Sequence, residues 1–224
     1  MADITNDLVA QIRDAVAARA PLNIEGSGSK RWYGNPVIAQ RALTTTGHSG
    51  IVEYDPAELV LTARTGTTLA EIEATLADHG QMLAFEPPRY APDSTLGGAI
   101  ATALSGPGRP FVGGVRDFVL GMHVIDGKGD VLKFGGQVMK NVAGYDVSRL
   151  MTGSLGILGL LSQVSLKVLP VPVATATLRF ELPEADAIRC VNEWSGKPLP
   201  LTASAWQNDT LHIRLTGARA AVES

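Results

Sequence analysis

A single cysteine, Cys190, among 224 residues excludes an internal disulfide and leaves too few thiolates for an iron–sulfur cluster, which would have to sit on another chain. Charge of one sign is equally scarce. A formal net charge of −3 with 18% charged residues advertises no generic nucleic-acid or anionic-membrane surface. No apolar run is long enough to cross a bilayer, since the longest, "GILGLLSQVSLKVLP", is broken by Ser, Gln and Lys. The opening "MADITNDLVAQIRDAVAARA" is acidic before it is apolar, unlike a signal peptide, so a cytoplasmic protein is expected. His48, His79, His123 and His212 lie far apart with no second ligand at metal spacing. There is no G-x-S-x-G elbow, and Cys190 sits in a helix-like segment where packing is the simpler role.

What is abundant is glycine, 24 residues, with 13 prolines, in a chain that is 45% hydrophobic and long enough for a real core. Residues 5–19 place Leu8, Ile12, Ala15 and Val16 at helical spacing behind a Thr5/Asn6/Asp7 cap signal, with Pro21 as the stop. "LNIE" reads as a strand, followed by β-like runs at Ala42–Thr46, Gly50–Tyr54 and Leu59–Thr65. Thr68-x-x-Glu71 is a capping box for a helix that Gly80 ends. "MLAFEPP" reads as a strand stopped by prolines, "DSTLGGAIATALSG" as a polar entrance to a small-residue helix, and "FVLGMHVIDGKGDVLKFGG" as a hairpin. A short helix over "KNVAGYDVSRLMTGS" and a strand ending at Pro170 complete a first unit, 1–171. A second unit, 172–224, reads β-α-β-β, too little for a core of its own, so it must pack on the first unit or on something else.

Three glycine-rich segments recur in the first unit: "EGSGSK" at 25–30, "DSTLGGA" at 93–99 with "SGPGR" at 105–109, and "GGQVMKNVAGYD" at 135–146 running into "TGSLGILG". Neither G-x-G-x-x-G nor a P-loop can be read in the first of them. Each alone is explained as a turn, but together they suggest backbone N–H groups converging on a diphosphate, including those at the helix start after Ser94 and Thr95. Of the cations Lys30, Arg31, Arg109, Arg116 and Lys140, Arg109 is the most enclosed by turn residues and is the one expected at phosphate. Asn141, Tyr145 and Asp146 either orient a ligand or cap a short helix.

The ordered run from "PDSTLGGAIATALSGPGRPFVGG" through "MKNVAGYDVSRLMTGSLGILG" resembles the vanillyl-alcohol oxidase, or PCMH-type, FAD-binding family over about residues 15–171. Within it the chain looks most like the E subunits of bacterial glycolate oxidases, relatives of the D subunits and of D-lactate dehydrogenases. The resemblance implies an α+β fold: a small N-terminal α/β lobe, a larger mixed-sheet lobe, FAD between them and a partial α+β cap. It maps the cofactor contacts onto Gly26, Ser27, Gly28, Ser29 and Lys30, onto Ser94, Thr95, Gly97, Gly98 and Ala99, and onto Ser105, Gly106 and Arg109. It adds Asn141, Tyr145 and Asp146, and the late loop Gly153, Ser154, Gly156 and Ile157. Many relatives attach the flavin to a first-loop histidine, which "GSGSKRW" lacks, so noncovalent FAD is implied. More obviously catalytic relatives read like G-S-E-G-T-L-G where this chain has Leu155 and Ile157, and no catalytic base is assigned. The implied role is the FAD-binding subunit of a complex that oxidises a small 2-hydroxy acid, with a catalytic flavoprotein paralogue and an iron–sulfur subunit as partners. Any membrane contact would come through those partners. The alternative is a non-catalytic FAD-binding or assembly subunit.

Overall fold

The computed structural model describes residues 2–36, 38–39, 41–136 and 145–224. In chain order the elements are α1 (Thr5–Ala17), β1 (Leu22–Glu25), β2 (Arg41–Thr44), β3 (Ile51–Asp55), β4 (Val60–Arg64), α2 (Leu69–Ala77) and β5 (Gln81–Met82). Then follow α3 (Leu96–Thr102), α4 (Arg109–Val112), β6 (Val119–Ile125), β7 (Val131–Gly135), α5 (Val147–Met151), β8 (Leu160–Lys167) and β9 (Leu169–Pro170). The C-terminal elements are β10 (Ala174–Glu181), α6 (Glu184–Ser195), β11 (Leu201–Gln207), β12 (Thr210–Gly217) and α7 (Arg219–Glu223).

The N-terminal lobe is α1 over the parallel pair β1–β2. Leu8, Ile12 and Leu43 bury against Ile125 and Leu160 from the ends of β6 and β8, so the lobe shares a core with the main sheet. Val16, expected on the buried stripe, is exposed. Eight residues carry it about 80° around the helix from Leu8, beyond the reach of that small core. The start of α1 is capped by Asp3, whose carboxylate accepts the Thr5 backbone N–H and hydroxyl, rather than by the Thr5/Asn6/Asp7 group.

The main sheet runs β3-β4-β8-β6-β7 and every pairing is antiparallel, which corrects the expected mixed sheet. Its neighbours are joined by hairpins and by β8 returning between β4 and β6. The β6–β7 turn holds because Asp126 Oδ1 accepts the N–H groups of Lys128 and Asp130. Against the sheet pack Leu69, Ile72 and Leu76 of α2 and Leu96 and Ile100 of α3, all fully buried. Of "MLAFEPP" only Met82 is in a strand, the second residue of the two-residue β5. Its partner β9 ends in Pro170, which has no N–H to continue the ladder.

The C-terminal elements form an antiparallel sheet, β10-β12-β11, under α6. Its core of Ala187, Leu201, Leu211 and Ile213 is completed by Phe111 from α4, so the first unit supplies a side chain to the second. Arg214 of β12 pairs with Glu86 at 2.6 Å across the same junction. No helix among the described residues is long and apolar enough to cross a membrane.

Candidate functional site

β1 delivers the chain into the loop 26–30, where Gly28 adopts φ +74, open to glycine at no steric penalty. The backbone N–H groups of Ser27, Gly28, Ser29 and Lys30 donate no hydrogen bond to another described residue. The loop is half-buried, so these are four sheltered donors in succession, the arrangement of an anion-binding nest.

The entrance to α3 faces this loop. Ser29 Oγ lies 3.3 Å from Ser94 Oγ, and a Cβ at Gly26 would fall 2.3 Å from Thr95 Oγ1. That hydroxyl is already engaged, accepting the Gly98 N–H as the helix cap. The Leu96 N–H donates to the Thr67 carbonyl at 2.9 Å and the Gly97 N–H to that of Thr65 at 2.8 Å. The first turn of α3 therefore has its amides engaged inside the protein, contrary to the expectation of free donors there. Gly97 serves close packing instead: a Cβ there would stand 2.8 Å from Thr65 Cβ. Ala99 is buried and its N–H donates to Thr95 O.

The late loop joins from the opposite end of α3. Gly153 and Leu155 donate their N–H groups to the carbonyls of Ile100 and Ala101. A Cβ at Gly34 would come within 3.2 Å of Leu155 Cδ1, and one at Gly156 within 3.6 Å of Ile24 Cβ, so this loop lies beside the first. Ser154 Oγ is buried without a hydrogen-bond partner among the described residues, the signature of a group awaiting a ligand or a water. Ile157 is exposed.

The turn 105–109 is anchored elsewhere. Ser105 Oγ accepts the Val115 N–H, Gly106 donates to Phe85 O, and Gly108 donates to Glu86 Oε2. Arg109 is exposed in the first turn of α4. Asp146 caps α5 by accepting the Arg149 N–H, Tyr145 is exposed, and Asn141 and Lys140 lie outside the described residues.

Two cations flank the nest. Lys30 sits with its ammonium 5.8 Å from the centre of the Tyr90 ring, and burial lowers its pKa. Arg31 folds back onto Glu25. The pairing of Glu25 with Arg31 was missed by the sequence reading, although a carboxylate just before a glycine turn and an arginine just after it was the available signal. No cluster of His, Cys, Asp or Glu able to hold a metal occurs among the described residues.

Four sequential amide donors and an orphaned hydroxyl on the neighbouring loop fit a dinucleotide diphosphate. Comparison with known proteins agrees. Residues 2–135 match the family described as FAD binding domain. Over 222 residues the chain is 49% identical to the glycolate oxidase subunit GlcE of Escherichia coli (strain K12), covering 99% of this chain and 63% of that protein. It is 30% identical to the glycolate oxidase subunit GlcD of Bacillus subtilis (strain 168), covering 87% of this chain and 42% of that one. A D-lactate dehydrogenase of Archaeoglobus fulgidus is 27% identical, with 89% and 45% covered. This chain thus spans less than two thirds of the length of these relatives. A solved alkyldihydroxyacetonephosphate synthase shares the fold, with a TM-score of 0.76 at 19% identity over 97% of this chain and 46% of that one. Because the family match runs through residues 26–30 and 94–99 alike, the chain belongs to the PCMH-type FAD binding domain family, and its cofactor is FAD.

Proposed function

We propose that this chain is the FAD-binding subunit of a glycolate oxidase-type complex that oxidises a 2-hydroxy acid, glycolate or D-lactate, to the 2-oxo acid and passes the electrons to a partner. The observation that carries the reading is the 49% identity to a glycolate oxidase subunit along 99% of the chain. A GlcD-like flavoprotein is the partner the relatives' names support, and an iron–sulfur subunit is proposed on the family resemblance, since one cysteine cannot hold such a cluster in this chain.

FAD supplies the two-electron redox chemistry when bound. The chain's own contribution is binding and orientation. The amides of Ser27, Gly28, Ser29 and Lys30 would hold the diphosphate, and Ser154 Oγ would donate to a polar atom of the cofactor. Gly26 and Gly97 would keep the first loop and α3 close enough together to form one site, and Gly98 would leave the helix start open to the ligand. Ser94 would steady the loop through Ser29. Ser105, Gly106 and Arg109 would act from the turn next to the C-terminal unit, Asn141, Tyr145 and Asp146 from the approach to α5, and Gly153, Gly156 and Ile157 from the late loop. Residues 1–171 would form the FAD unit and 172–224 the beginning of a cap.

A second reading, a non-catalytic FAD-binding subunit that supports a catalytic flavoprotein, is favoured by one feature. The late loop offers Ser154, Leu155 and Ile157 and no carboxylate or other proton acceptor of a general base's strength. Anaerobic addition of glycolate to the isolated FAD-loaded chain separates the two. Bleaching of the flavin band supports turnover by this chain, and an unchanged spectrum that bleaches only with the GlcD-like subunit present supports the assembly role.

A further inference from the structure

Arg31 lies across the loop it follows. Its guanidinium packs so close to Gly28 that a Cβ there would stand 3.0 Å from both Cζ and Nε. Two nitrogens on one edge of the guanidinium grip Glu25: Nε donates to Oε2 at 3.0 Å, and Nη2 to Oε1 at 2.9 Å and Oε2 at 2.8 Å. Nη1 has no partner among the described residues. The Glu25 side chain is only 15% exposed while that of Arg31 is 70% exposed, so the carboxylate is the fixed member and the arginine is held by it.

A mostly buried carboxylate just before an anion nest would repel the anion if it stood alone. Paired in a fork, it neutralises itself and immobilises a cation that keeps free donors in a defined plane. The other cation of this loop, Lys30, is turned to the Tyr90 ring, and Arg109 is on α4 beside the C-terminal unit. We propose that Arg31 is the countercharge to the diphosphate of the bound dinucleotide, and that Glu25 is the positioning residue that holds it there. The inference rests on the diphosphate reading of residues 26–30 and assigns to Arg31 the role that the sequence pattern gave to Arg109. It also explains why position 28 is glycine twice over: the backbone is left-handed there, and the guanidinium occupies the space a side chain would need.

The test measures the affinity of the apoprotein for FAD and for ADP, which carries the diphosphate without the flavin ring, by calorimetry at two salt concentrations. Arg31→Gln is expected to weaken both ligands by about 10- to 100-fold, the range of a charge-assisted hydrogen bond, and to flatten the salt dependence. Arg31→Lys, which keeps the charge and loses the fork, should fall between the two. Glu25→Gln gives the diagnostic sign. Removing a negative charge near an anion site would tighten binding if charge alone mattered, whereas loss of positioning weakens it by about three- to ten-fold. The apoprotein's denaturation midpoint should fall modestly in Arg31→Gln, since the mostly buried Glu25 carboxylate loses its charged partner, and the affinities are therefore measured well below that midpoint. Wild-type affinity and salt dependence in Arg31→Gln, or tighter binding in Glu25→Gln, overturns the inference while leaving the FAD reading standing. Failure of the wild-type apoprotein to bind either ligand overturns both.

Discussion

Gly26 and Thr95 are in contact across the candidate site: the space a side chain would need at 26 is filled by the threonine hydroxyl that caps α3, 2.3 Å from where a Cβ would stand. Gly26→Ala must displace that hydroxyl from the Gly98 N–H or push the first loop outward. Destabilisation of about 1–3 kcal/mol and a loss of FAD affinity are expected, read by urea unfolding and flavin titration. Gly26→Ala with Thr95→Ala relieves the collision and leaves mainly the lost cap, about 1 kcal/mol. The two changes together should therefore be less harmful than their sum, and strict additivity would refute the contact.

His48 sets a second expectation. It is buried, its Nδ1 accepts the Ile4 N–H at 3.2 Å, and burial lowers its pKa against the smaller opposing pull of Asp3. Asp3 Oδ1 lies 3.8 Å from Nδ1, a distance that would favour imidazolium, but a nitrogen that accepts a hydrogen bond carries no proton, and the neutral ring follows. The unfolded chain thus binds this proton more readily than the folded one. Stability present in full above about pH 6.5 is lost as pH falls from there through the lowered folded-state value. His123, lowered by burial and by Lys133, acts in the same sense. Asp3 itself, held at about 2 by its hydrogen bonds from Thr5, adds a loss only in stronger acid. Urea midpoints between pH 5 and pH 8 should fall toward acid, and His48→Gln should flatten part of that slope.

Glu86 fastens the two units together. It occupies φ +49, unusual for a residue with a side chain, and its carboxylate takes both the Gly108 N–H at 2.8 Å and the Arg214 guanidinium. Removing one partner strands the other in a partly buried position. Arg214→Ala should destabilise by about 1–2 kcal/mol and speed proteolysis of the C-terminal residues more than of the remainder. Equal protection of all segments in limited digestion would refute the link.

The first loop holds no histidine or cysteine that could bond to the flavin ring. Acid precipitation of the FAD-loaded protein is therefore expected to leave the yellow colour in the supernatant, as intact FAD by its fluorescence. Flavin retained in the pellet would show a covalent link and would redirect attention to residues outside this loop.

Much of this fold was legible from local signals. The Thr68–Glu71 cap, the Asp126 turn and the αL glycine at 80 are satisfied within a few residues, so the sequence alone specifies them. That residues 26–30 form a turn with a left-handed glycine was legible for the same reason. Its unengaged amides follow from a backbone conformation that glycine and serine permit nearby, and FAD followed from the long ordered run of motifs. What the sequence could not decide lay in long-range partners. The first-turn amides of α3 look free in the sequence, and only the arrival of the Thr65 and Thr67 carbonyls from the segment after β4 engages them. Arg109 looked the most enclosed of the candidate cations, until folding set it on α4 and laid Arg31 over Gly28. Val16 continues an apolar stripe, yet the core beneath it ends before it. The sequence by itself determined most of the helices and strands, the glycine-rich course of the first loop and the family. Tertiary structure decided which donors are already engaged and where each cation lies, because a hydrogen-bond donor is available only if no distant part of the chain has already taken it.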